Sequence, residues 1–112
     1  MISSQTIQAC IDELKSITRV DLCVCDLSGD IVAATMGQLD ISTDLVMSFA
    51  SSPADSQIIG VHHLLKILDE GELLYILVAR GSGDDVYMIG RIAVCELQNL
   101  AAAYKERFDR NN

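Results

Sequence analysis

The sequence predicts an α+β domain in the order α-β-β-α-β-β-α, with a central antiparallel sheet and a long C-terminal helix. Three observations predict it. Apolar residues recur at spacings of three and four near the N-terminus and again from Asp84 onward, which is the helical period. Between those stretches lie two pairs of alternating segments, each pair joined by a short turn that contains glycine. The single proline, Pro53, closes a short helical segment between the two pairs.

In order along the chain, Ile7, Cys10, Ile11, Leu14 and Ile17 form the first helical stripe, with Ser3 or Ser4 placed to cap it. Arg19 to Asp26 alternates, with Val20, Leu22 and Val24 on one face and Asp21, Cys23 and Cys25 on the other. Leu27-Ser28-Gly29-Asp30 supplies a turn, and Ile31 to Met36 returns as the second strand. Gly37 and Asp40 break that strand, and Ile41 to Ala50 reads as a short helix ended by Ser51-Ser52-Pro53. A strand from Val61 to Leu68, a tip at Asp69-Glu70-Gly71 and a strand from Glu72 to Arg80 make the second hairpin. Its second strand is apolar on both faces, so it should lie in the middle of the sheet. Gly81-Ser82-Gly83 then connects to a last helix from Asp84 to Asp109, opened by two acids that suit a helix N-terminus. One stripe of that helix holds Val86, Gly90, Ala93, Leu97, Leu100, Tyr104 and Phe108, and a second face holds Met88, Ile89, Ile92 and Cys95. A lone domain usually covers only one side of a helix. The second apolar side therefore predicts a homodimer, with Val86, Ala93, Leu97, Leu100 and Tyr104 as its interface.

The 112 residues fit one domain, 1–112, with no repeat or linker. An apolar share of 50% against 21% charged residues supports a packed core. The formal net charge of −8 repels phosphate backbones and anionic membrane surfaces, so direct nucleic-acid contact by these residues is excluded as an expectation. The acidity is concentrated: residues 1–104 carry five basic and fourteen acidic residues, while Lys105, Arg107 and Arg110 cluster at the end. The N-terminus lacks the basic region of a signal peptide, and the longest strongly apolar run, Leu73 to Ala79, is too short to span a membrane. A cytoplasmic location is expected.

Little in the sequence speaks for catalysis. No P-loop, G-x-S-x-G or H-E-x-x-H spacing occurs, and Gly81-x-Gly83 is too short for a dinucleotide fingerprint. Cys10, Cys23, Cys25 and Cys95 contain no C-x-x-C pair, and they read as reduced, mostly buried side chains. His62 and His63 are adjacent on a strand and point to opposite faces, so they cannot form one metal pair. The expectation is a non-enzyme with no cofactor and no metal. A redox or metal protein built on Cys23, Cys25 and His63 is the more distant reading.

A binding module fits better. The short helix and the Ser51–Gln57 loop could roof a pocket in which Ser52, Asp55 and Gln57 present donors and acceptors, although such a loop can equally satisfy its own backbone. Arg80 is the only cation on its strand and could fork onto a carboxylate ligand, or pair with Asp84 or Asp85. Arg80, Tyr75 and His63 together with Ser52, Asp55 and Gln57 are the candidate ligand-binding residues. Tyr75 and His63 can share a face only if their strands pair in the right register.

The segments I-x-E-L-K-S-I-T-R-V-D-L-C-V-C-D-L-S-G-D from Ile11, S-S-P-A-D-S-Q at Ser51–Gln57, A-R-G-S-G-D-D-V-Y-M-I-G-R-I-A from Ala79 and L-Q-N-L-A-A-A-Y-K-E-R-F-D from Leu97 carry a resemblance. They resemble the N-terminal sensor domain of bacterial transcription regulators of the purine-catabolism (PucR-like) and carbohydrate-diacid (CdaR-like) type. That resemblance implies a sensor domain followed by a middle domain and a DNA-binding helix-turn-helix, neither of which lies within these residues. The element order is also similar to PAS-like sensors and to roadblock/profilin-like dimerisation modules, an analogy of fold and not of function. Two functions follow as expectations. One is a dimeric sensor domain that binds a small-molecule effector. The other is a roadblock-like dimerisation scaffold without a ligand.

Overall fold

The computed structural model describes residues 2–110, with side chains through residue 107. Helix α1 (Ser4–Thr18) leads into strands β1 (Asp21–Cys25) and β2 (Ile31–Ala34), then helix α2 (Thr43–Ser51). Strands β3 (Ser56–Ile59), β4 (His62–Asp69) and β5 (Glu72–Arg80) precede the long helix α3 (Val86–Arg110). The strands form one antiparallel sheet in the order β2-β1-β5-β4-β3. The α+β class, the two expected hairpins and the central position of the strand ending at Arg80 are all present.

One strand was not expected. β3 occupies part of the segment read as a loop, and it pairs with β4 from Ser56↔Leu65 to Ile59↔His62. Two adjacent β-branched residues, Ile58 and Ile59, favour an extended chain. Gly60 then takes φ +63, which lets the chain turn back at once into β4. A four-residue strand is too short to display alternation, and its serine-rich approach looks like loop.

Local chemistry sets the helix ends. The Ser3 hydroxyl accepts from the Thr6 amide at 3.2 Å at the start of α1, and Ser42 does the same for Leu45 at 3.2 Å at the start of α2. α1 stops at Arg19, whose backbone is left-handed at φ 63 and whose amide returns to the Lys15 carbonyl. At the β1–β2 tip, Asp26 accepts amide hydrogen bonds from Ser28 and Asp30, and Gly29 adopts φ +85.

The sheet separates two apolar layers. α1 and α3 cover one face, where Ile7, Ile11, Leu22, Val24, Leu65 and Leu77 are buried with Leu97. α2 covers the other, with Val46 and Phe49 against Cys23, Cys25, Leu64, Ile76 and Val78. Burying these side chains supplies the main driving force for folding. β5 lies in the middle of the sheet, and Ile76, Leu77, Val78 and Ala79 are all fully buried. Gly90 lets α3 lie close on the sheet: a Cβ there would stand 3.0 Å from Leu65 Cδ1 and 3.4 Å from the Ala79 Cβ.

Alternation along β5 is broken once. The pairing runs Ile67↔Tyr75 and then Leu68↔Leu73, so Leu74 is an extra residue with no partner opposite. Leu73 consequently packs on the α2 side, while Leu74 joins Tyr75 on the α3 side. Strict alternation from Glu72 to Arg80 predicts Leu73 with Tyr75 on one face and Leu74 with Ile76 on the other, and the bulge corrects that grouping.

Two expectations for the helices also change. In α1, Ile7 and Ile11 are buried, but Ile17 at the end of the stripe is 72% exposed. α3 begins at Val86, with Asp84 and Asp85 in the preceding turn, where the Asp85 carbonyl accepts the Ile89 amide at 2.9 Å. The Phe108 side chain and the tail Asn111-Asn112 lie outside the described residues.

Candidate functional site

The structure does not assemble the expected ligand site. In the β4–β5 and β1–β5 registers Arg80 faces His62 and Asp21, which places it on the α2 side. Tyr75 and His63 lie on the opposite side, since Tyr75 pairs with Ile67 and His63 with Ala79. They do share a face, but near opposite ends of β4 and β5. Sheet geometry thus divides the set, because directly paired residues share a face and successive residues alternate.

Arg80 is already engaged. Its guanidinium donates to Asp21 at 3.2 Å, to Asp40 at 3.0 Å and to the Gln38 carbonyl at 3.3 Å. Asp84 and Asp85, the partners weighed from the sequence, are not the ones it takes. Asp21 also pairs with the Lys15 ammonium and accepts from the Thr35 hydroxyl at 3.0 Å. The Lys15 hydrogen bond above all, then those from Arg80 and Thr35, hold the Asp21 carboxyl below its ordinary value, against partial burial that pushes it up. Four segments distant in sequence are tied together here.

The Ser51–Gln57 segment is tied to α2 and β4. Ser52 donates from both its amide (3.0 Å) and its hydroxyl (2.8 Å) to the Phe49 carbonyl, and its own carbonyl accepts from Lys66 Nζ. The Asp55 carbonyl accepts the Lys66 amide at 3.1 Å, and Gln57 lies on β3 opposite Leu64. Lys66 also sits 5.2 Å from the Phe49 ring centroid, a cation–π contact that fixes the end of α2 to β4. On α2 there is an open depression lined by Asp44, Met47, Ser48, Ser51 and Ser52.

The expected dimer stripe divides in the same way. Val86, Ala93 and Leu97 are buried in the chain's own core, so they cannot also face a partner. Leu100 is half-buried against that core. The outward surface of α3 is instead Tyr87, Met88 and Ile92, at 42%, 58% and 46% exposed. Tyr104 helps to line a cavity of about 310 Å³ with Ile2, Leu74, Tyr75 and Ala101, and with Asp69 and Lys105 at its charged side. Tyr75, one of the expected ligand residues, therefore does line a cavity, but on the α3 side and without its expected companions. Burial, then the charge of Asp26, pushes its hydroxyl up, so it stays protonated at neutral pH.

Cys23 and Cys25 share a face as expected, are both buried and unbonded, and bring their sulfurs to 3.8 Å. Contact with Cys25 and then burial push the Cys23 thiol far up, which suits packing and not nucleophilic chemistry. Among the described residues no group of His, Cys, Asp and Glu is arranged to hold a metal ion. His62 Nε2 and His63 Nδ1 are buried without a hydrogen-bond partner among the described residues.

The sheet edges were not legible as functional elements in the sequence, and they differ sharply. At the β2 edge the Gln8 side chain donates to the Ala34 carbonyl at 2.7 Å and accepts the Ala34 amide at 3.1 Å. At the other edge β3 pairs with β4 on its inner side and has no strand on its outer side among the described residues. Its sequence Ser56-Gln57-Ile58-Ile59 contains no charge and no proline, and Ile58 is 63% exposed. The signal that could have revealed it is the apolar pair before Gly60.

Five antiparallel strands with two helices on one face and one on the other define a roadblock/profilin-like fold. Among solved structures the chain is similar to Myxococcus xanthus MglB, at 15% sequence identity and a TM-score of 0.58, over 92% of this chain and 94% of that one. No family model and no curated protein matches the chain. Among the described residues no helix is long and apolar enough to cross a membrane.

Proposed function

We propose that this chain is a non-enzymatic dimerisation module of a cytoplasmic transcription regulator, in which two copies join along their β3 edges. The open β3 edge is the observation that carries it. An unpaired, uncharged strand presents a row of backbone donors and acceptors that another strand can satisfy. A two-fold axis through that edge would set β3 antiparallel to its own copy, so each copy closes the other's edge and no open array grows. The exposed Ile58 would be covered at the same time. The roadblock-like fold and the already engaged Arg80 both favour a scaffold over a carboxylate-binding pocket on the α2 side. The regulator assignment rests on the PucR-like and CdaR-like resemblance. In such a protein DNA contacts would belong to other domains, because a chain of net charge −8 repels phosphate.

Sedimentation equilibrium tests the reading. The native chain is expected at twice its 12.2 kDa mass at micromolar concentration. Ile58→Lys should return it to the monomer mass with an unchanged circular dichroism spectrum, and Ile92→Lys on the outer face of α3 should leave the dimer intact. A native monomer, or a dimer lost with Ile92→Lys and kept with Ile58→Lys, would overturn it.

A further inference from the structure

The cavity between the β4–β5 hairpin and the C-terminal half of α3 shares no residue with β3, and its lining joins apolar, aromatic and charged groups. Its volume of about 310 Å³ lies at the lower end of the ~300–1,000 Å³ typical of small-molecule sites. Ile2, Leu74 and Ala101 make an apolar floor, and the rings of Tyr75 and Tyr104 line it. The polar contribution comes from one side, where Asp69 and Lys105 meet.

Those two charges are unequally satisfied. Lys105 is held by Glu70 at 2.8 Å and stands 3.9 Å from Asp69, too far for a hydrogen bond. The Asp69 side chain is 21% exposed and carries no hydrogen bond among the described residues. A half-buried carboxylate without a donor is an acceptor that still lacks part of what water gave it. The hairpin tip adds Glu70 and Glu72 beside it, and Asp26 acts electrostatically on Tyr75 from nearby. Against these acids stands the Lys105 ammonium on the same side of the cavity, so Asp69, Glu70 and Glu72 outnumber it and the local field favours a cation over an anion.

We propose that this cavity binds a small amphiphilic amine, with an apolar or aromatic body between Leu74, Ala101 and the two tyrosines and its ammonium group on Asp69. The ammonium supplies the charge-assisted donor that Asp69 lacks. The two tyrosine rings offer π faces to the same cation. A carboxylic acid of the same shape meets Asp69 instead and is rejected. The ligand sits between the hairpin and α3, so its binding reaches the contact by which Lys105 fastens that helix to Glu70.

Phenethylamine, 2-phenylethanol and 3-phenylpropionate, titrated into the ¹⁵N-labelled chain, test this. Phenethylamine should shift the amides of Leu74, Tyr75, Ala101 and Tyr104. The alcohol should bind on the order of tenfold more weakly, the loss of about one charge-assisted contact, and the acid should not bind. Asp69→Asn should erase the preference of amine over alcohol, and Ala101→Met, which fills the cavity, should abolish binding of both while the spectrum stays folded. No shift at those four amides, equal binding of amine and alcohol by the native chain, or an Asp69→Asn variant that keeps the preference would overturn the proposal. A dimer that forms normally in any of these cases leaves the β3 reading standing, so the two proposals fail separately.

Discussion

The two edges of the sheet solve one problem in opposite ways. Each ends in a short strand of four residues without a charge, β2 as Ile-Val-Ala-Ala and β3 as Ser-Gln-Ile-Ile. At β2 the helix beside it lends Gln8, whose amide group mimics a neighbouring peptide and occupies both the donor and the acceptor of Ala34. Among the described residues no side chain does this at β3, and no strand lies beyond it. The difference shows that strand composition alone does not decide whether an edge stays open. What matters is whether the helix packed next to it brings an amide to the unpaired backbone groups.

That contrast can be stressed from the core outward. The largest effect is expected from Phe49→Ala, which removes the buried anchor of α2 and the cation–π contact of Lys66. A loss of about 3–5 kcal/mol is expected in urea unfolding. Hydrogen exchange should rise first along β3 and β4, while the Ala34 amide at the far edge keeps its protection longest. Next comes Gln8→Ala, expected to cost about 1–2 kcal/mol by leaving part-buried backbone groups without partners. It should also expose the Ala34 amide to rapid exchange and leave the dimer mass unchanged. Its counterpart, Ile58→Lys, should alter the stability of the dissociated chain by less than about 0.5 kcal/mol, since that side chain already faces solvent. One variant thus spends stability without assembly, and the other assembly without stability.

A small, pH-dependent effect concerns the charged cluster on β1 and β5. Asp21 has its carboxyl held below the ordinary 3.8 by Lys15, Arg80 and Thr35. A group whose folded value is lowered contributes stability above its unfolded value and loses it as pH falls through the folded one. Asp21→Asn should therefore cost below about 1 kcal/mol at neutral pH. The gap between the native chain and the variant should narrow as pH drops below about 4, measured by urea unfolding across that range.

Much of the fold was written in periodicity. The alternation of Val20, Leu22 and Val24 against Cys23 and Cys25 appears in the two cores as expected, and so does the two-sided burial of β5. The helix-ending role of the Ser51-Ser52-Pro53 segment is equally visible. The site was far less legible. Whether Arg80 is free depends on Asp40, whose side chain comes from a loop that no period describes. Which side of α3 is buried was ambiguous because both sides are apolar. The burial of Val86, Ala93 and Leu97, and the close approach of Gly90 to Leu65 and Ala79, show which stripe meets the sheet. β3 was missed because a strand earns its identity from its neighbour, and four residues carry too little pattern to announce one.

The bulge at Leu74 has a consequence of another kind. By spending one extra residue, β5 puts two consecutive side chains, Leu74 and Tyr75, into the same cavity. The cavity is thus encoded in the length of a hairpin as much as in the identity of its lining. Loss of a single codon there would restore strict alternation, withdraw one wall and leave the sheet and both of its edges in place. The proposed ligand site and the proposed β3 contact would then change separately, by an insertion or deletion in one hairpin rather than by rebuilding a core.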